Sequence, residues 1–154
     1  MQSVDLTALE RLDKDLQELF DELPDRRRQL HEKIAKDIKD EVDIQIALSG
    51  LNDSSGNIKA WQEPHVGSWG GYAAVRASDA STGDRSPGAI TNYLENGHKI
   101  REPSENSKKY RPRIKTSYVC GYHFYQSARY NVEWRAIAAA EEYVNDITRK
   151  LLEV

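Results

Sequence analysis

The chain has 154 residues, 38% hydrophobic and 31% charged, with a formal net charge of -3; this suits one domain with a real core and argues against a disordered chain. No apolar run approaches the ~20 residues that span a bilayer, and the opening MQSVDLTALE lacks the basic flank and apolar stretch of a secretion signal, so a cytoplasmic protein with no membrane partner is expected. The single cysteine, Cys120, excludes an internal disulfide and reads as a small buried side chain, since no motif sets a His and an Asn or Asp beside it.

Leu9, Leu12, Leu16, Leu19 and Leu23 recur at three- and four-residue steps, which predicts an amphipathic helix packed on the last helix of the chain. Thr7 with Glu10 offers a capping box at its start, and Pro24 ends it or opens the next. That second helix is marked by Leu30, Ile34, Ile38, Val42 and Ile46 and closes near Ser49 and Gly50. Val42, Ile44, Ile46 and Leu48 also alternate, as in a strand; the helical period of the acids and lysines before them favours a helix.

Asn52 to Gly56 reads as a turn, followed by strands at Ile58 to Glu63 and Gly71 to Ser78 joined by a loose connection containing Pro64, Gly67 and Gly70. Ser86, Pro87 and Gly97 bracket a short helix as N-cap, first-turn proline and C-terminal glycine, with Ala89, Ile90, Tyr93 and Leu94 on its buried face. Residues 98–115 carry seven bases and two acids with Pro103 and Pro112, which predicts a long exposed loop, mobile alone and ordered on assembly. Ile114, Tyr118 and Cys120 offer a last strand. The final helix from Gly121 to Leu152 shows Phe124, Ala128, Val132, Ala136, Ala140 and Val144 at four-residue steps, widened by Ile137, Ile147 and Leu151. Unbroken it would be ~45 Å long, so a kink near Tyr130 and Asn131 is expected. These elements predict one α+β domain over residues 1–154, with N- and C-terminal helices packed on a small antiparallel sheet and the basic loop exposed.

Catalytic chemistry finds little support. His31, His65, His98 and His123 lack HExxH spacing or a CxxC companion, and His98 beside Glu95 reads more simply as a turn histidine at a helix end than as a metal ligand. GSWGG lacks the lysine and helix of a phosphate loop. No enzyme activity, metal or cofactor is expected. Binding has better candidates. Residues 1–50 carry thirteen acids and eight bases, complementary to Lys99, Arg101, Lys108, Lys109, Arg111, Arg113 and Lys115 of the basic loop. With Tyr110 interleaved, that loop could meet nucleic acid, but the acidic balance of the whole chain favours a solvated loop or one pairing with acids of a neighbouring copy. Trp61, Trp69 and Trp134 are candidate interface aromatics, Trp134 serving either a second core face or an interface anchor.

Four pieces fall in a telling order: Ser55, Gly56, Asn57 and Ile58 after the first helices; a strand; Tyr93, Leu94, Glu95, Asn96 and Gly97 followed by His98; and Gly121 with Phe124 opening the terminal helix. Together they span nearly the whole chain, and their order resembles the neck and minor tail-component family of long-tailed bacteriophages. The resemblance implies a virion-assembly protein of the head-tail junction, made in the host cytoplasm and placed in the virion. It would form a homo-oligomeric ring, either free or only on a preformed partner, join other head-completion and tail proteins, and contact channel DNA non-specifically. The basic loop is longer than the compact turn of that family. The alternative is a small nucleic-acid-binding or regulatory protein using residues 98–115.

Overall fold

The computed structural model describes residues 6–100 and 117–152. It is an α+β fold of two long helices packed on each other, with two small antiparallel two-stranded sheets. Helix α1 (Thr7–Leu48) leads through a one-turn helix α2 (Asn57–Ala60) into strand β1 (Gln62–Val66), a 3-10 turn (Ser68–Gly70) and strand β2 (Ala73–Ala77). Helix α3 (Pro87–Asn96) continues into β3 (Gly97–Lys99), and β4 (Tyr118–Cys120) precedes α4 (Phe124–Leu152). β1 pairs with β2 from Gln62 opposite Ala77 to Val66 opposite Ala73, and β3 pairs with β4 from Gly97 opposite Cys120 to Lys99 opposite Tyr118.

Pro24 does not divide α1, which runs unbroken for 42 residues, about 63 Å at ~1.5 Å per residue. An interior proline removes a ladder bond and costs ~3 kcal/mol, so something must hold the turn on either side. Glu22 and Arg26 flank Pro24 and bond to each other at 2.8 Å, while Lys150 reaches Glu22 at 3.5 Å and Arg26 reaches Asp146 at 3.0 Å. The proline is thus bridged by α4, a tie over 120 residues away that no local signal reveals. The expected capping box is also absent: the helix begins one residue early, with Leu6 at the cap position and no side-chain cap.

α4 runs antiparallel to α1, with Glu22 near Lys150, Arg26 near Asp146, Lys33 near Glu142 and Glu41 near Arg135. The buried contact surface uses small residues, Ala35 on α1 and Ala128 and Ala139 on α4, and its dense end is Val42, Ile46, Phe124 and Ala128. Residues 42–48 are therefore helix. α4 is continuous through Tyr130 and Asn131, correcting the expected kink, because it lies along a helix longer than itself. Its buried face follows Phe124, Ala128 and Val132 and then shifts to Ala139, leaving Ile137 and Val144 exposed. Four-residue steps advance ~400° at 3.6 residues per turn, so a strict i+4 row drifts off the face within a few steps. The same antiparallel register carries α1 past the described end of α4: Leu19 lies beside Leu151, Leu16 is half-buried, and Leu9 and Leu12 are exposed. Leu9 and Leu12 therefore do not pack on α4, contrary to the sequence expectation.

Other departures are local. Asn57–Ala60 is helical rather than extended because the Asp53 carboxylate accepts from the Ile58 and Lys59 amides, both at 3.1 Å, the role of an N-cap side chain. The β1–β2 connection is a tight 3-10 turn instead of a loose loop. Of residues 98–115 only 98–100 are among the described residues; His98 and Lys99 belong to β3 and the Ile100 amide donates to the Ser117 carbonyl at 3.0 Å, so these three are paired backbone rather than loop. Cys120 is exposed, since β4 lies in a two-stranded sheet with solvent beside it. Tyr93 is exposed and lies against the His98 ring at 5.3 Å, because the buried row of α3 is Pro87, Thr91 and Glu95.

Glu41 is a buried carboxylate on the α1–α4 contact. It accepts from Asn131 at 2.7 Å, Gln45 at 2.8 Å and Arg135 at 2.5 Å. These donors, Asn131 foremost, hold it below the ordinary glutamate value. A depressed folded value gives a stabilisation that is complete above the unfolded-state value and lost as pH falls through the folded one. Glu41→Gln should therefore cost stability at neutral pH, and its difference from the parent should shrink as pH drops below 4.5. Denaturant unfolding across that range measures the difference; a gap that stays constant would contradict the assignment.

Candidate interaction surfaces

Two of the four pieces that carry the resemblance, Tyr93–His98 and Gly121–Phe124, meet at one joint between α3 and α4. Ser86 caps α3, its hydroxyl accepting from the Ala89 amide at 3.2 Å, and Gly97 closes it with φ 76°. The chain before α4 then packs on that end: the Tyr122 and His123 amides donate to the Leu94 and Glu95 carbonyls at 2.7 and 3.2 Å, and the Tyr118 hydroxyl donates to the Asn96 carbonyl at 2.6 Å. In return the Glu95 carboxylate accepts from the Tyr125 amide at 2.9 Å and the Gln126 amide at 3.1 Å, in the first turn of α4. Each helix end fills the unpaired groups of the other. The approach is close enough to require glycine: a Cβ on Gly121 would lie 2.1 Å from the Glu95 carbonyl oxygen, and one on Gly97 would lie 2.3 Å from that of Val119.

A buried polar chain extends the joint to the first hairpin. The Tyr125 hydroxyl donates to Gln62 Oε1, and Gln62 Nε2 donates to the Ile58 carbonyl at 2.8 Å and the Thr91 hydroxyl at 3.3 Å. Burial first and the Glu95 charge second push the Tyr125 phenol up to about 12, so it remains a donor through the neutral range.

The aromatic candidates lie on three different elements. Trp61 is half-buried at the end of α2, where its carbonyl accepts from Ser78 at 2.7 Å, and it is part of the fold. Trp134 is 66% exposed on α4, with the Arg135 guanidinium 5.9 Å from its ring; it lies on no second core face. Trp69 is 89% exposed at the hairpin tip. Its backbone takes φ 60°, a conformation uncommon for a bulky residue, and its carbonyl accepts from Arg27 at 2.6 Å. Around it lie Arg28, His65, Tyr72 and Arg76. Sequence reasoning named Trp69 but missed Arg28, His65 and Arg76, which come from α1 and both strands. Of the basic set, Lys99 is exposed at the end of β3; Arg101, Lys108, Lys109, Tyr110, Arg111, Arg113 and Lys115 lie outside the described residues.

The second uncovered surface is the start of α1, where Leu9, Leu12 and Leu16 line an apolar groove edged by Glu10 and Asp13. Among the described residues, no cluster of three or more His, Cys, Asp or Glu side chains is placed to hold a metal ion, and no helix is long and apolar enough to cross a membrane.

The joint makes a stability prediction. Gly121→Ala should cost more than about 2 kcal/mol, because a methyl group has backbone rather than a movable side chain to displace. Glu95→Ala should cost roughly 2 kcal/mol by uncapping two first-turn amides. Equilibrium unfolding checks both, and changes under ~0.5 kcal/mol, the level of ordinary surface sites, would contradict the joint.

Comparison with protein-family models, curated proteins and solved structures finds no match to this chain.

Proposed function

We propose that this protein is a structural assembly component of a long-tailed phage, acting at the head-tail junction as a neck or tail-completion protein. The observation that carries this reading is the joint itself. Tyr93 to Gly97 and Gly121 to Phe124, separate in sequence and weak as individual motifs, form one mutually capped unit. Two of the four pieces on which the resemblance rests are thus neighbours in the fold, which supports reading them as one unit. The protein acts through surfaces rather than bond chemistry. Trp69 and Trp134 project from different elements, and the apolar start of α1 is uncovered, as suits a subunit that contacts several neighbours. It forms an oligomeric ring, in the virion or during assembly in the host cytoplasm, between head-completion and tail proteins. The basic stretch with Lys108, Lys109 and Arg111 meets acids of neighbours or phosphates of DNA in the channel.

The test is to incubate the purified protein with connector-bearing heads and image the complexes by electron microscopy. Cyclic density at the connector is the expected result, and its absence counts against the reading. Salt-sensitive binding of a monomer to duplex DNA without ring formation would instead favour a nucleic-acid-binding protein using residues 98–115.

A further inference from the structure

The β1–β2 tip is costly in a way that folding does not explain. Gly70 takes φ 64°, and a Cβ there would come within 3.0 Å of the Arg28 Cα, so a glycine is needed where the turn meets α1. Trp69, beside it, also takes a left-handed conformation, yet carries the bulkiest side chain and buries almost none of it. Glycine or asparagine would suit that backbone better. Residues that break a local rule without a gain in the folded monomer mark sites of function. Arg27 holds the Trp69 carbonyl at 2.6 Å, tying the tip to α1.

The surroundings define the chemistry of the occupant. Arg28, His65 and Arg76 border the Trp69 and Tyr72 rings. Two acids stand nearby, Glu32 paired to Arg28 at 3.0 Å and Glu63 opposite Arg76 across the hairpin. The face suits an apolar segment bordered by acids. The same chain carries one. From Leu6 through Glu22 there are six acids and two bases, and the exposed Leu9 and Leu12 continue into the half-buried Leu16 as an apolar stripe beside Glu10 and Asp13. The Trp69 face is seated on α1 at Arg27 and Arg28, and Leu9 lies about 27 Å along that helix from Arg27 at ~1.5 Å per residue. A continuous helix cannot fold back over that distance, so the two surfaces can meet only between molecules.

We propose that the N-terminal end of α1 in one copy docks, through Leu9, Leu12 and Leu16, on the Trp69 face of a second copy. This is a heterologous contact, which closes into a ring or continues as a filament according to the rotation per subunit. It rests on the self-assembly reading above and names the contact that reading lacks. A single helix end covers little area, so one contact alone is weak and ring closure or a preformed partner supplies the remaining affinity through effective concentration.

Two variants of the full chain test it. Leu9→Gln with Leu12→Gln removes the stripe at positions 63% and 38% exposed while keeping helix-forming residues. Trp69→Asn removes the ring and tolerates the left-handed backbone. Sedimentation equilibrium up to about 1 mM, where weak contacts become populated, should show the parent associating. Each variant should do so at least about tenfold more weakly, and circular dichroism should remain like that of the parent. An equimolar mixture of the two should restore association but stop at dimers, because it contains one intact stripe and one intact face. A parent that stays monomeric, a variant that associates as the parent does, or a mixture of folded variants that stays monomeric would each overturn the docking. If Trp69→Asn disturbs the hairpin, Arg76→Glu at an exposed position puts the same question and must weaken association. Cyclic density on connector-bearing heads with both variants would retire this contact while leaving the junction role standing.

Discussion

The carboxylate of Glu95 lies between two helix ends that would otherwise keep unpaired backbone groups. α4 starts after His123, whose φ of 54° and imidazole side chain offer no ordinary cap. Its first-turn amides at Tyr125 and Gln126 are met by a side chain thirty residues earlier in the chain. A buried carboxylate is tolerable only when its oxygens are paired, so the arrangement stabilises in both directions: the helix needs the acid and the acid needs the helix. Gly97 and Gly121 permit the approach, and the β3–β4 pair holds the strands on either side.

Everything downstream inherits its direction from that joint. Phe124, the first residue of α4, enters the core with Val42 and Ile46, and from there α4 is laid along α1 by alanine contacts and ion pairs at several levels. The exposed pairs are individually worth little. Their value lies in register, and around Pro24 they hold the helix through a residue that would otherwise break it. Because α4 fixes where its partner is covered, it also fixes where α1 emerges uncovered, with its apolar stripe and acids.

Local signals were legible where they were self-sufficient. Ser86, Pro87 and Gly97 bounded α3 correctly because cap, first-turn proline and terminal glycine act within a few residues. Pro24 misled because its compensation comes from Glu22, Arg26, Asp146 and Lys150 across two helices. Hydrophobic patterning could not find the most consequential buried groups, since Glu41, Gln62, Thr91 and Glu95 are polar. An Asp or Glu two residues before a glycine at a helix end, with no capping residue at the start of a later helix, is the signal that could have pointed to Glu95. For the surfaces, tryptophan content alone named Trp69 together with Trp61, which belongs to the fold; only backbone conformation and exposure separate them.

Amide hydrogen exchange at Tyr125 and Gln126, compared between the parent and Glu95→Ala, tests the joint most directly. First-turn amides of a helix exchange readily unless a side chain holds them. The account predicts strong protection of both amides in the parent and its loss in the variant, while amides near Ala35 and Ala139 in the middle of the α1–α4 contact stay protected. Rapid exchange at Tyr125 and Gln126 in the parent, or equal protection in both proteins, would contradict the claim that Glu95 holds the start of α4.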